Sequence, residues 1–422
     1  MKIIALLLFI AMYVLMVIFT DKREYIAIFT AIIYVLLGIL PVNNIISSID
    51  FNIIFMMAGT MILVYYFIKS NMPALIADFL LDKSPNVMWV TIFMSAFAGL
   101  ISAFIDNTAT VLMIAPVALA VCKKLEINPV SMIIALAVSS NLQGAATLVG
   151  DTTSILLGAY AKMDFNAFFF LNGKASIFFA VELGALASLL VMFFMFRKET
   201  KEVNASKDVK VKGYLPSIML IVLVISLILA SFIPNKPDMT NGLICMFLAL
   251  VVMFFDAGKN KKNNSILDNL RTIDYQTLLL LIGLFLVIAG ITNIGLIKDM
   301  SNIIIKLGNN NIFILYTVIV IISALLSGFI DNIPYVATML PVVKAVSISL
   351  GIEPFLLYFG LLSGATLGGN LTPIGASANI AAVGLLRKEG YKVTFKDYMK
   401  IGVPLTIAAL GAGYIFIWFV WR

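Results

Sequence analysis

Four short clusters of oxygen-bearing side chains and glycines interrupt an otherwise apolar chain. Two have the same form, Asp106-Asn107-Thr108 and Asp331-Asn332-Ile333-Pro334. The other two are longer, Ser139 to Ser154 and Gly368 to Asn379. Amide, hydroxyl and carboxylate oxygens are ligands for a hard monovalent cation. A helix broken at such a point offers free N–H groups and a positive dipole end to an anion, and free carbonyls to Na+. Within the clusters the candidate ligands are Asp106, Asn107, Thr108, Thr147, Gly150, Asp151, Thr152, Ser154, Asp331, Asn332, Asn370, Thr372, Gly375, Ser377 and Asn379, with Asn107, Thr147, Asn332 and Thr372 the candidate neutral ligands for Na+. The chain has no histidine, so proton chemistry near neutral pH falls to carboxylates. No arginine or lysine stands in the breaks, which speaks against a dianion held there by salt bridges.

The elements that carry these clusters span a bilayer. The 422 residues are 62% hydrophobic and 12% charged, and the apolar runs have the length of membrane-crossing helices. This excludes a cytosolic enzyme and a nucleic-acid reader, and the net charge of +7 belongs to topology. Two cysteines, Cys122 and Cys245, cannot build a metal cluster. The run at 3–19 reads as a retained helix, because no small-residue cleavage site follows it. Helices are expected at about 3–19, 25–42, 51–68, 88–104, 108–122, 130–161 and 175–196. After a polar linker, 197–213, they continue at 214–232, 240–256, 274–292, 312–329, 333–350, 354–386 and 401–420.

The two halves are copies. Asp106 and Asp331 stand 225 residues apart (331 minus 106). The same step carries Pro116 to Pro341, Pro129 to Pro354, Gly144 to Gly369, Thr147 to Thr372 and Gly150 to Gly375. A run of matches without a gap is the signature of duplication. Ile49-Asp50-Phe51 pairs with Ile273-Asp274-Tyr275 at one residue less. With the N-terminus outside and five crossings per half, 21 of the 29 basic residues fall inside. The inside set includes Lys22, Arg23, Lys69, Lys123, Lys124 and the stretches 197–212, 259–271 and 387–400. An odd number of crossings inverts the second half, the arrangement of alternating-access carriers. The expected fold is an all-α polytopic membrane protein of two inverted repeats, with about ten full crossings, two re-entrant hairpins and broken helices. Both termini are expected outside a cell membrane.

Plainer roles exist for the same residues. Asp106 and Asp331 are suited to cap the helices that follow them, as are Asp50 and Asp274. The glycines suit close helix packing. Asp151 has no twin, since position 376 is alanine, and is the candidate for proton or cation coupling. Glu182, alone in an apolar helix, is a further acid with Lys174 as a partner to consider. Lys344 is expected to snorkel outward.

The stretch Gly328-Phe329-Ile330-Asp331-Asn332-Ile333-Pro334-Tyr335-Val336-Ala337-Thr338-Met339-Leu340-Pro341, followed by Gly368 to Asn379, resembles the ion transporter superfamily. The nearest branch holds arsenite permeases, NhaD-type sodium–proton antiporters and the melanosomal P protein. The first-half pattern Gly-Asp-Pro-Pro-Asn of P-protein-like chains reads Gly150-Asp151-Thr152-Thr153-Ser154 here. Sodium-coupled dicarboxylate and citrate carriers are more distant, and their Ser-Asn-Thr motif survives only as Asn107-Thr108. The resemblance implies a secondary active, Na+- or H+-coupled transporter of a small inorganic ion or anion, working as an elevator. A citrate-type carrier and an ion channel are the alternatives. The scaffold is expected from 1–69 and 214–292, interfacial arms at 70–85 and 293–309, and transport parts at 86–196 and 310–422. Expected partners are the substrate and the bilayer, with no nucleic acid; no cofactor is expected other than Na+. Dicarboxylate relatives are homodimers, so the resemblance leaves a homodimer open.

Overall fold

A computed structural model describes residues 1–203, 210–259, 273–309 and 311–422. The basic stretch 260–271 and residues 204–209 of the linker lie outside the described residues. The chain is mostly helical. The first half holds α1 (Lys2–Ile18), α2 (Arg23–Leu36), α3 (Ile45–Ser48), α4 (Phe51–Lys69), α5 (Met72–Asp82), α6 (Val87–Ser102), α7 (Asn107–Lys124), α8 (Val130–Gln143), α9 (Thr152–Tyr160) and α10 (Ile177–Phe196). The second holds α11 (Leu215–Ala230), α12 (Thr240–Lys259), α13 (Tyr275–Asn293), α14 (Leu296–Leu307), α15 (Ile312–Ser327), α16 (Asn332–Leu350), α17 (Phe355–Gly368), α18 (Ser377–Lys388) and α19 (Phe395–Trp421). A two-stranded hairpin, β1 (Phe170–Leu171) with β2 (Lys174–Ala175), precedes α10.

Among the described residues, six helices are long and apolar enough to cross a membrane alone, namely α4, α7, α10, α13, α16 and α19. The number rises to eight if each of two bent pairs is one span. These pairs are α1 with α2, bent by 118°, and α14 with α15, bent by 115°. The ten crossings read from the sequence are not all reached by length. The polar breaks cut the runs 130–161 and 354–386 into α8 plus α9 and α17 plus α18. The run at 25–42 likewise stops at Leu36, where Gly38 takes a φ of +70° that only glycine adopts freely. The run expected at 401–420 instead starts at Phe395, because Thr394 and Asp397 form a reciprocal capping box.

Two helix pairs are set by missing side chains. Gly59 of α4 faces the backbone of Cys245 in α12, where a Cβ would come within 2.4 Å of its carbonyl carbon. Its repeat partner Gly283 of α13 meets Ala27 of α2, at 2.8 Å. In a bilayer, close backbone approach of this kind supplies much of the association energy, since lipid gives no hydrophobic drive between helices. Around the remaining core, α6 packs on α8 and, one repeat later, α15 on α17. The helix after each Asp-Asn tip leans on the post-break helix of the other half: α7 on α18, and α16 on α9. The two halves are therefore interlocked where their polar clusters lie.

Candidate functional site

Each Asp-Asn tip begins a helix, and the aspartate caps it. Asp106 accepts from the backbone N–H of Thr108 and Ala109, both at 3.0 Å. Asp331 accepts from Ile333 N at 3.1 Å. Capping and a site role coexist, because each carboxylate has a second oxygen and lone pairs to spare.

Behind the tips, the broken helices are tied to them by matched contacts. The Thr147 hydroxyl donates to the carbonyl of Ala103, and Thr372 donates to that of Gly328, its counterpart. A Cβ on Gly150 would lie 2.6–2.8 Å from the carbonyl oxygens of Gly144, Ala103 and Ser102. On Gly375 it would lie 2.5–2.9 Å from those of Gly369, Ser327 and Gly328. Ser154 donates to Gly144 O at 3.2 Å, and Asn379, one repeat on, donates to Gly369 O at 3.1 Å. The threonines and glycines fasten break to hairpin, while Ser154 and Asn379 tie the break to itself. Gly150→Ala and Gly375→Ala should each cost on the order of 1–3 kcal/mol through forced backbone shifts. Thermal denaturation of the purified variants would show this as lowered midpoints, and unchanged midpoints would mean that the backbone yields.

An amide network crosses between the halves. Asn107 donates to Asn141 Oδ1 at 2.7 Å, and Asn141 donates in turn to the Thr366 carbonyl (2.8 Å) and to Asn370 Oδ1 (3.1 Å). Asn370 donates to Val138 O at 3.2 Å. Asp151, 3% exposed, caps α9. It accepts from Thr152 N at 2.7 Å, from the Thr153 hydroxyl at 2.9 Å and from Asn332 Nδ2 at 3.3 Å. The last bond joins the first half's break to the second half's tip.

A cavity of about 360 Å³ opens beside these groups. Of the residues singled out in the sequence, Asp106, Asn107, Thr108, Asp151, Thr152, Asn332 and Ser377 line it. Thr147, Gly150, Ser154, Asn370, Thr372, Gly375 and Asn379 stand behind the wall. Asp331 lies at its edge, where the Ser377 hydroxyl donates to Oδ2 at 3.3 Å. The opposite wall comes from α4, through Thr60, Val64 and Ile68, and from the start of α13, through Asp274 and Thr277. Asp274 is again a cap, accepting from Thr277 N at 3.1 Å, yet it brings a third carboxylate to this cavity. Three carboxylates brought to one cavity attract cations.

Asp274 and Arg23 both escaped the sequence reading as site residues. Arg23, taken only as a topology marker, donates from Nη1 to Asp331 Oδ2 at 2.6 Å, and both side chains are largely buried. A basic group therefore does reach a hairpin tip, brought there by the sharp bend between α1 and α2. Beside it the Tyr13 hydroxyl donates to Pro334 O at 2.7 Å and lies 2.6 Å from Thr338 Oγ1. The only sequence signal was a charge at the first position of an apolar helix, the pattern of every loop marker. Lys174 does not serve Glu182: its ammonium lies 5.4 Å from the Trp421 ring centre. Lys344, exposed, lies over Tyr160 at 5.3 Å.

The citrate transporter family matches this chain over residues 13–362. An uncharacterized transporter of Mycobacterium tuberculosis is 30% identical over 99% of this chain and 98% of its own. The P protein of Mus musculus is 25% identical over 89% of this chain, which spans about half, 54%, of that protein. Among solved structures, the YdaH transporter of Alcanivorax borkumensis superposes with a TM-score of 0.61 at 14% identity, covering 89% of this chain and 86% of that one.

Proposed function

The chain belongs to the citrate transporter family, within the ion transporter superfamily, and on that premise we propose that this membrane transporter is a secondary active carrier coupled to Na+ or H+. The reading rests chiefly on one observation, the cavity at which Asp106, Asp151 and Asp274 meet amide oxygens from both tips. Cations or protons enter there first, and a small ion or anion travels with or against them. The halves act as inverted repeats with both termini outside. The hairpin-bearing parts, 86–196 and 310–422, slide against a scaffold from 1–69 and 214–292, through arms at 70–85 and 293–309. The fastening of each break to its hairpin supports movement of that part as one body. Sodium, where it couples, sits on the oxygens of the tips and breaks, and two copies of the chain form the working carrier.

The family match also favours a citrate-type substrate as a second reading. Such an anion would face three carboxylates, so it requires cations bound beside it. A panel of inorganic ions, oxyanions, citrate and dicarboxylates in proteoliposomes, with and without Na+ or pH gradients, tests both. Uptake or exchange of one substrate that follows an imposed cation gradient is the expected result. Gradient-independent flux of several ions at channel rates would overturn carrier function.

A further inference from the structure

The two Asp-Asn tips are repeats in sequence, but their surroundings differ. Asp106 faces the cavity and, among the described residues, has no basic partner. Asp331 is held by Arg23 at 2.6 Å. Arg23 does not travel with that tip. It starts α2, and α2 is packed through Ala27 against Gly283 of α13, on the scaffold side of the proposed carrier. Tyr13, from α1, grips the same tip at Pro334 O. The N-terminal corner thus makes a charged and a neutral contact with a part that must move past it.

The cavity gives this contact a direction. It is walled by the last turns of α4, from Thr60 to Ile68, which lead to Lys69, and by the first turn of α13. Of the cavities at the two ends of α4, the one at the Lys69 end reaches Asp106, Asp151 and Asn332, so the site opens toward that end in the conformation seen. A displacement of the hairpin part by one helical turn, about 5.4 Å, would carry Asp331 out of reach of a guanidinium fixed on α2.

The matching position in the other half carries no such group. Gly59 meets Cys245, and its repeat partner Gly283 meets Ala27, so Ala27 and Cys245 are counterparts. Counting back four residues along each helix sets Arg23 opposite Asn241. Asn241 lines a separate cavity that also holds Asp50, the repeat partner of Asp274, together with Lys162 and Lys236, neither of which occupies the helix position that matches Arg23. In the mirror-image conformation, an uncharged amide stands where Arg23 stands here.

We infer that Arg23 is a positioning residue that latches the carrier open on the Lys69 side, through an ion pair with Asp331 that the matching position of the opposite state does not reproduce. This rests on the sliding reading proposed above. The latch biases the resting carrier to one side, and loading of the site must compete with it. Sliding separates the two charges, so the pair favours the conformation in which they meet.

The test uses the full-length protein in proteoliposomes with one of two cysteine reporters, Leu112→Cys at the cavity mouth or Ala159→Cys at the opposite cavity. Native Cys122 and Cys245 are buried and stay as an unlabelled background. Labelling by a membrane-impermeant maleimide is compared in native, Arg23→Gln, Arg23→Lys and the swapped pair Arg23→Asp with Asp331→Arg. Arg23→Gln should slow labelling at 112 and speed it at 159, shifting their ratio roughly tenfold. Arg23→Lys and the swap should move the ratio back toward native, and melting curves confirm that each variant is folded. A folded Arg23→Gln with the native ratio would overturn the latch, and so would a swap no better than Arg23→Gln alone. Native reporters are also compared with and without Na+ at two pH values. Reporters that exchange with ions yet ignore Arg23→Gln refute only the latch. Reporters that never exchange in any variant or condition refute the sliding reading, and the latch with it.

Discussion

Asp151→Asn should abolish the pH dependence of transport and reduce coupled flux by at least about tenfold, while the protein still folds. The carboxylate is the one central acid without a twin in the other half, where Ala376 takes its place. Its Oδ1 caps α9 through Thr152 N, and an asparagine retains an oxygen for that bond. The second oxygen accepts from Thr153 and Asn332. A hydroxyl can rotate to accept and an amide can flip, so both partners adjust to a new NH₂ group. What disappears is the charge, and with it the competition of proton and cation proposed for this carboxylate. Losing tenfold in rate corresponds to about 1.4 kcal/mol, well below the electrostatic worth of a buried carboxylate toward a bound cation. Flux measured against pH and Na+ in parallel decides it. A variant with wild-type pH dependence would pass the coupling role to Asp106, Asp331 or Glu182.

Bridging the N-terminal corner to the second tip should stop transport altogether. Tyr13→Cys with Thr338→Cys places two thiols across a contact whose native oxygens lie 2.6 Å apart. A tyrosine is too long for a direct disulfide to replace it, since bridged Cα atoms lie within about 7 Å of one another, so a cleavable thiol-to-thiol reagent is required. With the reagent in place, flux should fall to the level of empty vesicles, and cleavage should restore it. Each single cysteine treated alike should transport normally. Undiminished flux through protein shown by mass to be fully bridged would mean that the corner and the tip never part during turnover.

Much of the architecture was legible because the membrane makes polarity conspicuous. Asp106-Asn107 and Asp331-Asn332 stand out in apolar runs, and a constant step of 225 residues relates them. Helix ends followed from Asp50, Asp106, Asp274 and Asp331, all of which cap as expected. Thr147 and Thr372 were harder, since a hydroxyl that braces a carbonyl and one that ligates an ion have the same sequence signature. Asp274 was read as a cap alone, because its place in the cavity depends on how α13 meets the tips from 106 and 332. Arg23 was invisible for a different reason. A basic residue at a helix end is the ordinary marker of a cytoplasmic loop, and only the bend between α1 and α2 carries it to a tip three hundred residues away.

The fastening of each break to its hairpin also limits how the site is entered. In each half a threonine hydroxyl donates to one carbonyl of the hairpin, and a glycine packs against three backbone carbonyls with no room for a side chain. A hairpin swinging open like a flap would have to break the threonine bond, and at membrane depth no water is at hand to replace the lost partner. On the sliding reading proposed above, selectivity would be fixed once, in a seat that keeps its shape on both sides of the membrane, and the ion would change compartments without its ligands being rearranged.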